Sequence, residues 1–296
     1  MTAAVIHKSV AWFLGGRSFL ALSPPRRVEG NSGIRPLNFE GASAPEVPRV
    51  VKERAAARSS SPEKIGAFFD LDGTLLASPS LEWRFIAYLL ARDEMGGAEV
   101  ARWLARCAKT LLRDSVAATS GNKAYLAGLR ESLAADWEAS LASGSLPFFS
   151  AGIERVAWHL AQGHRVFLVT GTLEPLAHAA ARRMPGPLEI CATQLESRDG
   201  RWTGRLAGPH LRGEAKGRAV RAFAARFGLS LWESYAYGNS AADLPMLDAV
   251  GRRFAVNPRA ALRRIALREN WEIRDWKDST AVSAARSLPH LSEEAP

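Results

Sequence analysis

Residues 67–76 read AFFDLDGTLL, an apolar run that ends on two carboxylates, Asp70 and Asp72, followed at once by Gly73 and Thr74. Alternate side chains of an extended strand share one face, and two anions held that close repel unless a cation, a proton or a hydrogen-bond donor stands between them. The pair therefore asks for a counter-charge from elsewhere in the chain. Three further polar signals sit where such help would come from: Thr170-Gly171-Thr172 after the apolar VFLV, Lys216 within GEAKGRAV, and Asn239 with Asp243 in YGNSAADLPML. A lysine in the first turn of a helix opposes the helix dipole, a mild penalty that favours a local anion as its partner.

These groups need elements to hold them. Short apolar runs at 65–69, 165–169, 235–237 and 253–256 read as strands buried on both faces, as in a parallel sheet. Helical patterns at 151–162, 173–183, 214–227 and 259–270 separate or follow them, and Gly163 and Gly228 stand where glycines end helices. Such alternation predicts an α/β fold, a doubly wound, Rossmann-like parallel sheet. Strand ends on one edge of that sheet converge on a single crevice, which places all four polar signals together. Two insertions break the alternation. Residues 81–143 carry three helix-like stretches (81–92, 98–112 and 122–142) with no strand between them, and 192–206 reads as a hairpin turning at Asp199-Gly200. The expected division is a basic Pro/Ser/Ala-rich N-terminal extension at 1–63, a core at 64–78 and 148–280, a helical insertion at 79–147, and a tail at 281–296.

Charge and composition exclude several classes. Lys and Arg outnumber Asp and Glu by 39 to 30, but ten of the former and five of the latter fall in residues 1–64, so much of the excess belongs to the extension. That pattern points to a solvated basic segment, and no nucleic-acid partner is expected. No apolar run approaches the roughly 20 residues of a membrane span; the stretch 10–22 is interrupted by Arg17 and suits at most peripheral membrane contact. Cys107 and Cys191 lie far apart without a metal or redox spacing, which fits free thiols in a reducing cytoplasm. The six histidines show no paired ligand spacing, so none is expected to bind zinc. In the helical insertion Trp83, Phe85, Tyr88, Leu89, Trp103, Tyr125 and Trp137 are read as a small core in preference to a substrate pocket, and Arg84, Arg92 and Lys123 as a solvated helix face in preference to anion contacts.

The order DLDGT, Thr170-Gly171, Lys216 and Gly238-Asn239 to Asp243 resembles the four motifs of the haloacid dehalogenase superfamily over residues 64–275. The helical insertion after the first motif looks most like subclass IB, the phosphoserine-phosphatase-like branch. The resemblance implies a Mg²⁺-dependent phosphatase acting on a small phosphorylated metabolite, with the insertion as a cap. It makes Asp70 the nucleophile that becomes an aspartyl-phosphate and Asp72 the general acid and base. Thr170 and Gly171 would bind the phosphoryl group, and Lys216 would offset charge on it and on Asp70. Asp70, Asp72 (through its carbonyl), Asn239 and Asp243 would hold the metal. The backbone N–H groups after Gly73 would face phosphate oxygens.

An aspartate two residues after the nucleophile sets phosphatase or phosphomutase chemistry apart from dehalogenation. Two positions depart from the family. Asn239 stands where an aspartate commonly helps hold the metal, and Pro79 stands where phosphoserine phosphatases tend to carry a glutamate for the substrate amine, with Glu82 close but out of register. Phosphotransfer through the same intermediate, or a non-catalytic phospholigand-binding protein with a weakened metal site, are the alternatives. Fold cannot name the ester, and the sequence does not disclose the oligomeric state.

Overall fold

The structure is a computed structural model that describes residues 64–96, 123–141 and 146–277. Its strands are β1 (Gly66–Phe69), β2 (Arg165–Leu173), β3 (Glu189–Thr193), β4 (Leu195–Arg198), β5 (Arg201–Leu206), β6 (Tyr235–Gly238), β7 (Arg252–Val256) and β8 (Glu272–Arg274). The helices are α1 (Leu81–Ala91), α2 (Leu133–Ser140), α3 (Ser150–Ala161), α4 (Glu174–Ala181), α5 (Glu214–Phe227), the short α6 (Leu244–Leu247) and α7 (Ala260–Arg268).

Six strands form one parallel sheet in the order β3-β2-β1-β6-β7-β8. The apolar β1 lies in its middle and is buried throughout, as a strand covered on both faces must be. Phe68 stacks on Phe167 of β2 with ring centroids 4.7 Å apart, and Phe69 stacks on Tyr237 of β6 at 4.4 Å. The chain leaves β1 for β2 on one side and later returns to β6 on the other. This reversal opens a crevice beyond the carboxyl ends of these three strands.

The expected α/β architecture is therefore present, with revisions in detail. β2 runs on through Thr170-Gly171-Thr172, with a register irregularity between Val169 and Leu173, so the polar triplet lies inside the strand and not after it. The sequence pattern missed β8 and gave most of β3 no element, because these outer strands are short and carry charge. The hairpin is formed by β4 and β5 and turns at Asp199 and Gly200, both with positive φ.

The inserted segment departs further. α1 forms where expected, and 98–112 lies outside the described residues. The stretch 122–142 does not form one helix. It gives a 3₁₀ turn (Ala124–Leu126), an extended link and then α2. The link pairs with the hairpin: Gly128 N donates to Trp202 O at 2.8 Å, Trp202 N to Leu129 O at 2.9 Å, and Glu131 N to Gly200 O at 3.0 Å. These bonds satisfy backbone groups that a continuous helix would have paired internally. Phe85, Leu89, Tyr125 and Trp137 are buried together and Phe85 meets Trp202 edge-on, whereas Trp83 is 52% exposed, contrary to expectation. Trp103 is outside the described residues.

The extension, the 10–22 stretch, Cys107 and the tail also lie outside the described residues. Cys191 is a buried free thiol. No described helix is long and apolar enough to cross a membrane. Two histidines do pair, with each other: His159 Nδ1 lies 2.8 Å from His164 Nδ1, and His159 Nε2 lies 2.9 Å from the Tyr237 hydroxyl. Burial pushes His159 down to about 3, so this internal link is neutral at physiological pH.

Gly204 of β5 couples the hairpin to the inserted segment. Its φ is +76°, and a Cβ there would stand 3.0 Å from Ala124 Cα. Gly204→Ala is predicted to lower stability by about 1–3 kcal/mol through left-handed strain and this contact. A urea melt checks it; a loss below roughly 0.5 kcal/mol, the ordinary surface value, would show that the contact is dispensable.

Candidate active site

Asp70 follows β1 directly, and its N–H donates to Tyr237 O at 3.0 Å, which ties the end of β1 to β6. Its carboxylate is buried and held on both oxygens. Lys216 Nζ, from the first turn of α5, donates to Oδ1 at 2.6 Å, and Thr74 Oγ1 donates to Oδ2 at 3.1 Å. The same ammonium donates to Asp243 Oδ1 at 2.7 Å. The local anion sought for Lys216 is thus a pair of carboxylates, distant in sequence and brought together by the sheet.

Asp243 is committed to the protein. Its Oδ2 accepts from Asn239 N at 3.1 Å, Ser240 N at 2.9 Å and Ser240 Oγ at 2.9 Å. These bonds shape the turn after β6 and fill Oδ2, while among the described residues Oδ1 accepts only from Lys216, as Asp70 Oδ1 does. Asn239 differs. Its carbonyl accepts from Arg259 N, but its side-chain amide is buried and has no hydrogen-bond partner among the described residues. That amide rests on Gly73, where a Cβ would stand 1.9 Å from Nδ2 and where φ is +86°. Close approach and backbone conformation both require glycine there.

Asp72 does not share the face of Asp70. Its Oδ1 accepts from Leu81 N, at the start of α1, at 2.9 Å, and its Oδ2 accepts from Thr172 Oγ1 at 2.5 Å. The two carboxylates are thus separated by a turn and by different donors. Thr170 is buried, and its hydroxyl oxygen accepts from Thr172 N at 3.2 Å. Gly171 lies beside His210, whose Nε2 would be 3.4 Å from a Cβ at that position. The backbone donors are rearranged from expectation. Gly73 N and Thr74 N turn inward to Leu76 O and Leu71 O, and it is the N–H groups of Leu71 and Asp72 that find no acceptor among the described residues.

Sequence reasoning missed Thr74, Thr172, His210 and the Leu81 N–H. Thr74 and Thr172 lay within quoted motifs, but their side-chain direction depends on the turn after β1 and on the length of β2. Arg84 is also not a free surface cation; its guanidinium donates to Pro79 O and Ala77 O. Arg92 lies over the Tyr88 ring.

Burial pushes Asp70 up to about 6 against the pull of Lys216. Burial also raises Asp72, opposed by its bonds from Thr172 and Leu81. Against the upward push of burial, Lys216 holds Asp243 below the usual carboxylate range, and the two carboxylates hold Lys216 above the usual lysine range. When all three carboxylates are ionised, one ammonium leaves a surplus of two negative charges. An oxygen-rich set with that surplus suits a hard divalent cation such as Mg²⁺. No three Asp, Glu, His or Cys side chains among the described residues could hold a metal alone. A cation here would rely on Asp70, the Asp72 carbonyl and the unpartnered Asn239 amide, with Asp243 contributing directly or through water.

Removing Lys216 leaves two buried carboxylates without their cation. Lys216→Met is predicted to cost about 3–5 kcal/mol at pH 7.5. Asp70 and Asp243 would then rise in pKa and take up protons in the folded variant, so the deficit shrinks as pH falls toward 5. Denaturant melts at both pH values test this; a deficit independent of pH would contradict the charge assignment.

A family model for haloacid dehalogenase-like hydrolases matches residues 67–248. A putative hydrolase of Mycobacterium leprae is 38% identical over 228 residues, 74% of this chain and 75% of that protein. A Mycobacterium tuberculosis protein named phosphoserine phosphatase SerB1 is 45% identical over 133 residues, 45% of this chain and 42% of its own length, so the match spans less than half of that relative. Among solved structures, a protein of unknown function from Bordetella pertussis Tohama I superposes with a TM-score of 0.59 at 30% identity, covering 73% of this chain and all of that one. A substrate-bound phosphoserine phosphatase shares the fold, with a TM-score of 0.52 at 20% identity over 73% of this chain and 95% of its own. With the strand-end motifs in one crevice and a family match across most of the core, the chain belongs to the haloacid dehalogenase-like hydrolases.

Proposed function

We propose that this hydrolase is a Mg²⁺-dependent phosphatase that cleaves a small phosphate monoester through an aspartyl-phosphate on Asp70. The observation that carries the reading is the Asp70 carboxylate at the end of β1, buried and oriented by Lys216 and Thr74, with Asp72 two residues on and held apart from it. Phosphoryl transfer depends chiefly on positioning and on charge stabilisation, and this arrangement provides both.

In this reading the N–H groups of Leu71 and Asp72 and the Thr170 hydroxyl receive the phosphoryl oxygens. Asp70 attacks phosphorus, the ester oxygen leaves with a proton from Asp72, and Asp72 then takes a proton from the water that hydrolyses the acyl phosphate. Burial favours the protonated form of Asp72 that the first step needs. Lys216 keeps Asp70 ionised and balances the phosphoryl charge. Asp243 acts as a positioning carboxylate that aims Lys216 and shapes the Asn239 turn. Bound Mg²⁺, held by Asp70, the Asp72 carbonyl and Asn239, with Asp243 contributing directly or through water, would screen the repulsion between nucleophile and phosphate. Residues 79–147 serve as the cap, whose α1 already meets Asp72. Relatives named phosphoserine phosphatase support the ester class. Pro79, in place of the amine-binding glutamate, supports an ester other than phosphoserine.

Hydrolysis of p-nitrophenyl phosphate is predicted to stop with EDTA, return with Mg²⁺ and fall to background in Asp70→Asn. Activity that survives Asp70→Asn would rule out the covalent route. Asn239→Asp restores a full charge and is predicted to lower the Mg²⁺ concentration for half-maximal rate by roughly tenfold, about 1.4 kcal/mol of binding. An unchanged magnesium titration would remove Asn239 from the metal site.

A further inference from the structure

Lys123 was expected on a solvated helix face, yet its ammonium is buried. Nζ donates to both oxygens of Glu82, at 2.5 and 2.6 Å, and the Tyr125 hydroxyl also donates to Glu82. Two of its three N–H groups are thereby used, and the third has no acceptor among the described residues. Burying an ammonium is costly, and a further oxyanion at that third N–H would offset the cost.

Several contacts place the cluster over the reaction crevice. Glu82 directly follows Leu81, whose N–H holds Asp72, and Asp72 senses the Glu82 charge. His210 lies against Gly171 and hydrogen-bonds its backbone. Burial, and next the positive charge of Lys123, push His210 down to about 4, so the imidazole beside Gly171 is neutral. Arg212 adds positive charge at the same imidazole. Lys123 is seated by the hairpin, since a Cβ at Gly204 would stand 3.3 Å from Lys123 O.

We infer that Lys123, Glu82 and His210 form the leaving-group subsite, and that it selects an ester whose leaving group carries an oxyanion over one that carries an ammonium. The inference rests on the phosphatase reading and adds the substrate class. The Glu82 carboxylate is already met by Lys123 and Tyr125, so a substrate ammonium finds no free anion and faces like charge from Lys123 and Arg212. A carboxylate or second phosphate beside the ester gains the remaining Lys123 N–H and the positive field around it.

The test compares kcat/KM for phosphoglycolate, whose leaving group bears a carboxylate, phosphoethanolamine, which bears an ammonium, and p-nitrophenyl phosphate, which bears neither. Wild type is expected to prefer phosphoglycolate to phosphoethanolamine by at least about tenfold, the scale on which one charged contact discriminates. Lys123→Met should abolish that preference, with a loss on phosphoglycolate at least several-fold larger than on the p-nitrophenyl ester. Glu82→Gln, which keeps the shape and folds in the event that the methionine variant does not, should widen it by freeing Lys123. A wild-type preference for phosphoethanolamine, or equal losses on all three esters in both variants, overturns the subsite while leaving the phosphatase reading intact. Absence of turnover on every ester overturns both.

Discussion

The site depends on one ammonium between two carboxylates. Asp70 and Asp243 lie 173 positions apart in the chain, and each needs a reason to be ionised inside a protein; Lys216 supplies it by touching both. Its position follows from the fold, because α5 starts where its first turn looks across the ends of β1 and β6. The macrodipole penalty of a lysine at a helix start is offset by two charge-assisted hydrogen bonds in a poorly solvated place. Asp70 is thus oriented before any ligand arrives, and the turn carrying Asn239 takes its shape from the same network.

The crevice has a second wall that is built differently. The strand ends supply the floor, whereas the roof comes from α1, the 3₁₀ turn and the hairpin. Backbone pairing of residues 128–131 with β5 joins two insertions that are separate in sequence. Packing of Phe85 against Trp137 and Trp202 makes that junction apolar. In the proposed reading, residues that meet the phosphoryl group come from the core's strand ends and the first turn of α5, and residues that meet the rest of the substrate come from the insertions. Change in one set need not disturb the other.

The central sheet was legible because its strands are buried on both faces and read as plain apolar runs between helical periods. The edge strands β3 and β8 were not, since a short charged strand has no such signature. The carboxylates, Thr170, Lys216 and the Asn239 turn could be singled out because strand ends in a doubly wound sheet must converge. What could not be read was direction. That Asp72 points to Thr172 and Leu81, that Asp243 folds back on its own turn, and that Gly73 and Thr74 donate inward are properties of tight turns, where one dihedral redirects a side chain. Lys123 was weighed as an anion contact and as a solvated helix face, and the second reading failed because pairing with the hairpin replaced the expected helix and the lysine is buried.

The bond from Leu81 N to Asp72 carries a mechanical implication. It is made by the first residue of a helix that also carries Glu82, so the carboxyl at the heart of the crevice feels whether that helix is docked. Lifting α1 strips Asp72 of one of its two donors and opens it to solvent, which alters its appetite for a proton. In the proposed reading, the docking of α1 and the protonation of Asp72 are therefore linked.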